Sequence, residues 1–291
     1  MNKDSGLKKS FLIRLRSSVV LMTVLILLMI SRPEILIGGL LVISLIGLME
    51  IYRTVGINKA WIAVPGYIAT FVYYTWYLIL HEFRGEDFYD RITEIGGILA
   101  VIGGLLLISV LAIYVFMFPK IDSKQVTMAF FGFFYVVVCM AYIYRLRDID
   151  SGAYSVWLIF ISSWGADTMA YLTGILIGKH KIAPVLSPKK TLEGCIGGVV
   201  GAMLIGFIYS SIFSEQLGEY FENPVAIFTI VSAVASVVSM IGDLAASAFK
   251  RNMEIKDYGR LIPGHGGVLD RFDSVIFVAP VIYALLVFFE I

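Results

Sequence analysis

At 291 residues, 59% of them hydrophobic and only 15% charged, with a mean hydropathy of +0.87, the chain is too apolar for one soluble domain, whose composition sits nearer half apolar and a quarter charged. Its formal charge of +1 gives it no overall basic character, and no nucleic-acid partner is expected. The two cysteines, Cys139 and Cys195, lie inside apolar runs without metal-ligand spacing, which argues against a disulfide framework and a zinc site.

A bilayer-crossing helix needs about twenty mostly apolar residues. The chain offers about nine such runs, near 13–31, 35–51, 61–81, 95–118, 126–144, 153–177, 194–213, 224–249 and 274–289, and this predicts an all-α polytopic integral membrane protein. The basic start leads into the first run without a small-x-small cleavage site, so that run reads as a retained helix. Pro33 breaks the first hairpin, Pro119 ends the fourth span, and Pro224 suits the first turn of the eighth, because proline has no backbone donor.

Lys and Arg then orient the spans. With the N-terminus cytoplasmic and the C-terminus on the outer side, eighteen of the 23 basic residues face the cytoplasm. The other five are Arg32, Arg84, Arg91, Arg145 and Arg147. Twelve of the 22 acidic residues fall outside, among them Glu82, Glu86, Asp87, Asp90, Glu215, Glu219 and Glu222. The inner face carries +8 and the outer face −7. With no long polar linker and no repeat of 20 to 50 residues, residues 1–291 read as a single integral domain. Within it, 1–150 is an apolar helical scaffold expected to hold no buried carboxylate, and 151–291, with a cytoplasmic loop at 250–273, is the portion where chemistry, if there is any, is expected.

The polar groups of the second half are the candidates for chemistry. Asp167 lies in WGADTMAYLTGILIG, well inside the sixth span, where an ionisable group is costly and marks a site unless Ser or Thr neighbours satisfy it for packing alone. Asp243, in SMIGDLAASAFKR, lies near the cytoplasmic end of the eighth span, with Lys250 two helical turns further on the same face. Its bland alternative is a carboxylate at the membrane interface. The basic loop KHKIAPVLSPKKTLEG runs from Lys179 to Gly194; Thr191 can cap the helix that follows, and Ser187, Lys189 and Lys190 stand beside that helix start, where a phosphate can bind. Taken alone, such a loop is more often a topology determinant. The spacing of Gly194 and Gly198, and of Gly197 and Gly201, suits close helix packing.

The segment KDYGRLIPGHGGVLDRFD, Lys256 to Asp273, combines several requirements. Gly264, Gly266 and Gly267 allow a backbone that wraps phosphate. Lys250, Arg251, Lys256, Arg260 and Arg271 supply cations, and Asp257, Asp270 and Asp273 supply hard oxygen ligands. Carboxylates among so many cations suit a magnesium-bridged polyphosphate; the bland alternative is a salt-bridged cytoplasmic loop. His265 either donates to a phosphate oxygen or structures the turn.

At these residues the sequence resembles the phosphatidate cytidylyltransferases, also called CDP-diacylglycerol synthases. The family signature reads here SAFKRNMEIKDYGRLIPGHGGVLDRFD, with Ser247, Phe249, Lys250, Arg251, Lys256, Asp257, Gly259, Ile262, Pro263, His265, Gly266, Gly267, Asp270, Arg271 and Asp273 all in place. The Asp167 segment and the SPKKTLEG run also look like the family's, so the likeness covers roughly the last 130 residues. It implies the reaction of CTP with phosphatidic acid to give CDP-diacylglycerol and pyrophosphate, with Mg2+ required. On that implication Asp243 and Asp270 are metal ligands, and Asp167 is a further ligand or its partner. Lys250, Arg251, Lys256 and Arg271 hold phosphates, the Gly264–Gly267 turn with His265 lies against the triphosphate, and Ser187, Lys189, Lys190 and Thr191 complete the cavity.

The expected partners are CTP, phosphatidic acid from the inner leaflet, membrane lipids and a possible second copy in a homodimer. The expected location is a bacterial plasma membrane. A transporter using Asp167 and Asp243 as a cation relay is the alternative, but it gives no reason for the Gly-His-Gly-Gly turn. An enzyme that consumes CDP-diacylglycerol would carry an Asp-Gly-x2-Ala-Arg motif, which this chain lacks.

Overall fold

The computed structural model describes residues 3–83 and 97–290, with side chains from Leu15 onward. Arg84, Glu86, Asp87, Asp90 and Arg91, counted above toward the outer face, lie outside the described residues, as do the side chains of Lys3, Lys8, Lys9 and Arg14. The apolar runs are helical, and no strand forms among the described residues. A chain in hydrocarbon must satisfy its backbone N–H and C=O groups within each segment, and a helix does so.

The main helices are α1 (Lys3–Ile30), α2 (Pro33–Thr54), α3 (Val64–Glu82), α4 (Ile98–Met117), α5 (Ser123–Asp148), α6 (Ala166–Ile177), α7 (Leu192–Ile212), α8 (Pro224–Asn252) and α9 (Leu269–Phe289). Seven described helices are long and apolar enough to cross a membrane: α2, α3 with its leading turn from Trp61, α4, α5, α7, α8 and α9. The two remaining expected spans differ in build. The apolar part of α1, Leu15–Ile30, is shorter. The run expected at 153–177 is assembled from Gly152–Ser155, Trp157–Phe160, a π-helical turn at Ile161–Gly165, and α6. Ser163 lies in that π turn and donates its hydroxyl to the Ile159 carbonyl at 2.6 Å. A π turn shifts the facing of every residue that follows it, and Asp167 is the second residue of α6.

The chain divides into two compact units, Met1–Ala141 with Asp257–Arg271, and Tyr142–Lys256 with Phe272–Ile291. In the first, Tyr52 is fully buried and donates to the Ala129 carbonyl at 2.6 Å. Gly66 and Gly132 leave the space its ring occupies. Asp122 and Gln125 form a reciprocal cap at the start of α5. The expectation that the first five spans hold no buried carboxylate is overturned here, because Glu50 in α2 is only 2% exposed.

In the second unit α6 and α7 pack closely over small residues. A Cβ at Gly197 would collide with Thr173, one at Gly201 with Met169, and one at Gly198 with Ala170 and Met240. The glycine spacing therefore serves helix packing. Gly197→Val should separate the two helices and cost about 1–3 kcal/mol, as overpacking typically does; thermal unfolding in detergent reads the loss. Arg145 in this unit lies over the rings of Tyr142 and Tyr283, 4.9 and 4.5 Å from their centroids, and donates to the Tyr283 hydroxyl.

Candidate active site

In the first unit the Asp257–Arg271 loop is organised by its own backbone and two carboxylates. Ile262 N–H donates to the Gly266 carbonyl and His265 N–H to the Ile262 carbonyl, closing a tight turn in which Gly264 and Gly266 have φ of 78° and 90°. Only glycine adopts that region cheaply. Asp270 Oδ2 accepts from the backbone N–H groups of Tyr258 at 2.8 Å and Gly267 at 3.0 Å, tying both ends of the turn to the first turn of α9. Glu50 accepts from Val268 N–H at 3.0 Å and Leu269 N–H at 2.8 Å, which satisfies two otherwise unpaired donors at the N-terminus of α9.

His265 is fastened to α1. Its Nδ1 lies 3.1 Å from the Ser17 hydroxyl and its Nε2 3.1 Å from the Ser18 hydroxyl. The Ser17 hydroxyl also lies 2.8 Å from the Pro263 carbonyl. Of the two roles open to His265 from sequence, the geometry supports structuring the turn.

The second unit gathers the charged groups of the spans. Lys190 Nζ meets Asp243 Oδ2 at 2.5 Å, and Lys250 Nζ lies 3.8 Å from Asp273 Oδ2. Asp243 and Asp167 both act electrostatically on Asp273. Same-face placement did not make Lys250 the partner of Asp243: seven residues span roughly 10 Å of helix axis, and Lys190 arrives from the basic loop instead. That loop is pinned back. His180 and Lys179 donate backbone N–H groups to Glu193, the His180 ring meets the same carboxylate, and Leu192 N–H donates to the His180 carbonyl. Thr191 caps α7 by accepting from Gly194 N–H at 3.2 Å.

Between the basic loop and α6–α8 lies a cavity of about 500 Å³. Its lining includes Asp167, Lys181, Lys189, Lys190 and Thr191 as well as Tyr171, Ile175, Cys195 and Met240. A lining that combines lysines with apolar side chains suits a ligand that carries both an anionic group and a greasy part.

Residues 12–289 match the model of a family described as the cytidylyltransferase family. The chain belongs to the cytidylyltransferase family. Proteins named phosphatidate cytidylyltransferase are among its relatives. One from Staphylococcus epidermidis is 31% identical over 270 residues, covering 91% of this chain and 97% of the relative. One from Bacillus subtilis is 38% identical over 157 residues, 54% of this chain and 56% of the relative. One from Staphylococcus saprophyticus is 39% identical over 153 residues, 53% and 56%.

Within this cytidylyltransferase, the sequence candidates fall into two groups. Asp167, Lys189, Lys190, Thr191, Asp243 and Lys250 meet in the second unit around the cavity and its ion pairs, together with Asp273. Ser187 lies in the same basic loop, where its N–H donates to the Ala183 carbonyl. Arg251 and Lys256 are exposed at the end of α8 and just beyond it. Gly264, His265, Gly266, Gly267, Asp270 and Arg271 belong to the loop of the first unit.

Among the described residues, no three His, Cys, Asp or Glu side chains converge to cage an ion. Mg2+ is ordinarily held by one or two carboxylates plus substrate phosphates, and Asp243 with Asp167 or Asp273 meets that smaller requirement. Sequence reasoning passed over Glu50. Its signal was a lone acid in LIGLMEIYRT, an otherwise apolar run.

Proposed function

We propose that the chain transfers CMP from CTP to phosphatidic acid, giving CDP-diacylglycerol and pyrophosphate, at the cytoplasmic face of a bacterial plasma membrane. The observation that carries this reading is the cluster of Asp167, Asp243 and Asp273 with Lys190 and Lys250, beside a cavity whose lining holds both lysines and apolar side chains. Membership of the cytidylyltransferase family supports it, as does the expected excess of Lys and Arg on the cytoplasmic side.

The chemistry asks little of a base. A phosphomonoester has its second pKa at about 6 to 7, so the lipid phosphate is already largely a dianion. Its oxygen forms a bond to the α-phosphorus of CTP, the bond from that phosphorus to the β-bridging oxygen breaks, and the electron pair leaves with pyrophosphate. Lys190, Lys189 and Lys181 draw the phosphates to the cavity mouth, and Lys250 adds a further cation beside Asp273. Tyr171, Ile175 and Met240 give the lipid an apolar surface. Asp243, with Asp167 or Asp273, would hold Mg2+, which would supply charge neutralisation on the polyphosphate. The loop of the first unit holds Asp270 through the backbone N–H groups of Tyr258 and Gly267.

Purified protein given radiolabelled CTP, phosphatidic acid and Mg2+ should produce a labelled lipid, and chelation with EDTA should stop its formation until Mg2+ is restored. Folded protein that makes no labelled lipid overturns the reading. If the same protein also moves cations across vesicles, the transporter alternative takes its place.

A further inference from the structure

Glu50 sits in a part of the chain that reads as apolar scaffold, yet its carboxylate holds two backbone N–H groups of a distant segment. It is 2% exposed, and a carboxylate at such a site is costly unless hydrogen bonds satisfy it. Both its oxygens are engaged by backbone N–H groups 218 and 219 residues away in sequence, those of Val268 and Leu269. The carboxylate also passes between two signature glycines. A Cβ at Gly259 or at Gly267 would strike it, and the two glycines themselves come so close that a Cβ on Gly259 would lie 3.1 Å from the Gly267 Cα. Neither glycine has a positive φ, so the side chain they make room for is Glu50. Gly264 and Gly266, by contrast, are required by the turn itself.

We infer that Glu50 is a positioning residue for the nucleotidyl-transfer reaction: it clamps the Asp257–Arg271 loop by capping α9 and filling the slot between Gly259 and Gly267. The inference rests on the proposed function, since it assumes that this loop serves catalysis. A displaced loop shifts its own glycine turn, Asp270 and Arg271, and an error of about 1 Å in a group that holds substrate can cost roughly 100-fold in rate.

The test is a cycle of Glu50→Ala, Gly267→Ala and the double variant, with Glu50→Gln as the conservative change that keeps the size and one acceptor. Each is assayed for turnover and for backbone hydrogen exchange across residues 257–270. Glu50→Ala should lose about 100-fold in turnover, with faster exchange in the loop and unchanged exchange in α7, and Glu50→Gln should fall between it and the parent protein. Gly267→Ala should be similarly damaged alone, because its methyl strikes Glu50. In the Glu50→Ala background that methyl has room, so the double variant should match Glu50→Ala to within about twofold. Independent, multiplying losses would overturn the clamp, as would Glu50→Ala protein with normal loop exchange. If the parent protein makes no labelled lipid the functional reading fails, but the exchange comparison still decides whether Glu50 holds the loop.

Discussion

Asp243→Asn is expected to lower turnover by about 10²–10³-fold while leaving the protein folded and inserted in the membrane, the scale seen when one preorganised electrostatic group is removed from a reaction centre. Asp243 holds the buried ammonium of Lys190 at 2.5 Å and stands within electrostatic range of Asp273. Neutralising it removes an anion proposed to organise metal and phosphate, and leaves Lys190 without its carboxylate. Lys190→Met should also be impaired. Because the two side chains act as one unit, the double variant should be no worse than Asp243→Asn alone, and losses that multiply would show that they act independently. Turnover measured as lipid-extractable label, beside thermal unfolding in detergent, separates a lost reaction from a lost fold.

Asp273→Asn carries the second large effect, with a different signature. Turnover should fall about 100-fold, and the unfolding temperature without substrate should not drop. Asp273 stands within electrostatic range of two other carboxylates, Asp243 and Asp167, as well as of the Lys250 ammonium. At an effective dielectric near 20, a unit pair at about 4 Å is worth about 4 kcal/mol. The attraction lost from Lys250 at 3.8 Å is therefore offset by the repulsion relieved from two other carboxylates. A group kept despite such repulsion suits ligand binding better than stability. A fall of several degrees together with the loss of turnover would make Asp273 a structural residue.

Some of this was legible in the sequence because it rests on short-range rules. Thr191 as a cap, the Gly194–Gly201 stripe as a packing surface, and the helical apolar runs each follow from local spacing. Asp167 and Asp243 stood out because charge is expensive inside a span. The pairings were not legible. Periodicity placed Lys250 on the face of Asp243 but could not show that a lysine from a loop some fifty residues earlier would reach it first. The Glu50 clamp joins residues more than two hundred positions apart, and its glycine partners look like ordinary phosphate-loop glycines until the carboxylate between them is located. Asp270, expected as a metal ligand, spends Oδ2 on two backbone N–H groups, a use that depends on how the turn closes. The composite build of 152–177 escaped for a similar reason, because a π turn changes the helix without changing its apolar composition.

The most direct measurement follows two labels from CTP through the purified protein in phosphatidic acid vesicles with Mg2+. Label in the α-phosphate should appear in the lipid, label in the γ-phosphate should appear in pyrophosphate in equal amount, and neither should move with Asp243→Asn protein. Label from the γ-phosphate in the lipid, or undiminished transfer by the Asp243→Asn protein, would contradict nucleotidyl transfer at this cluster.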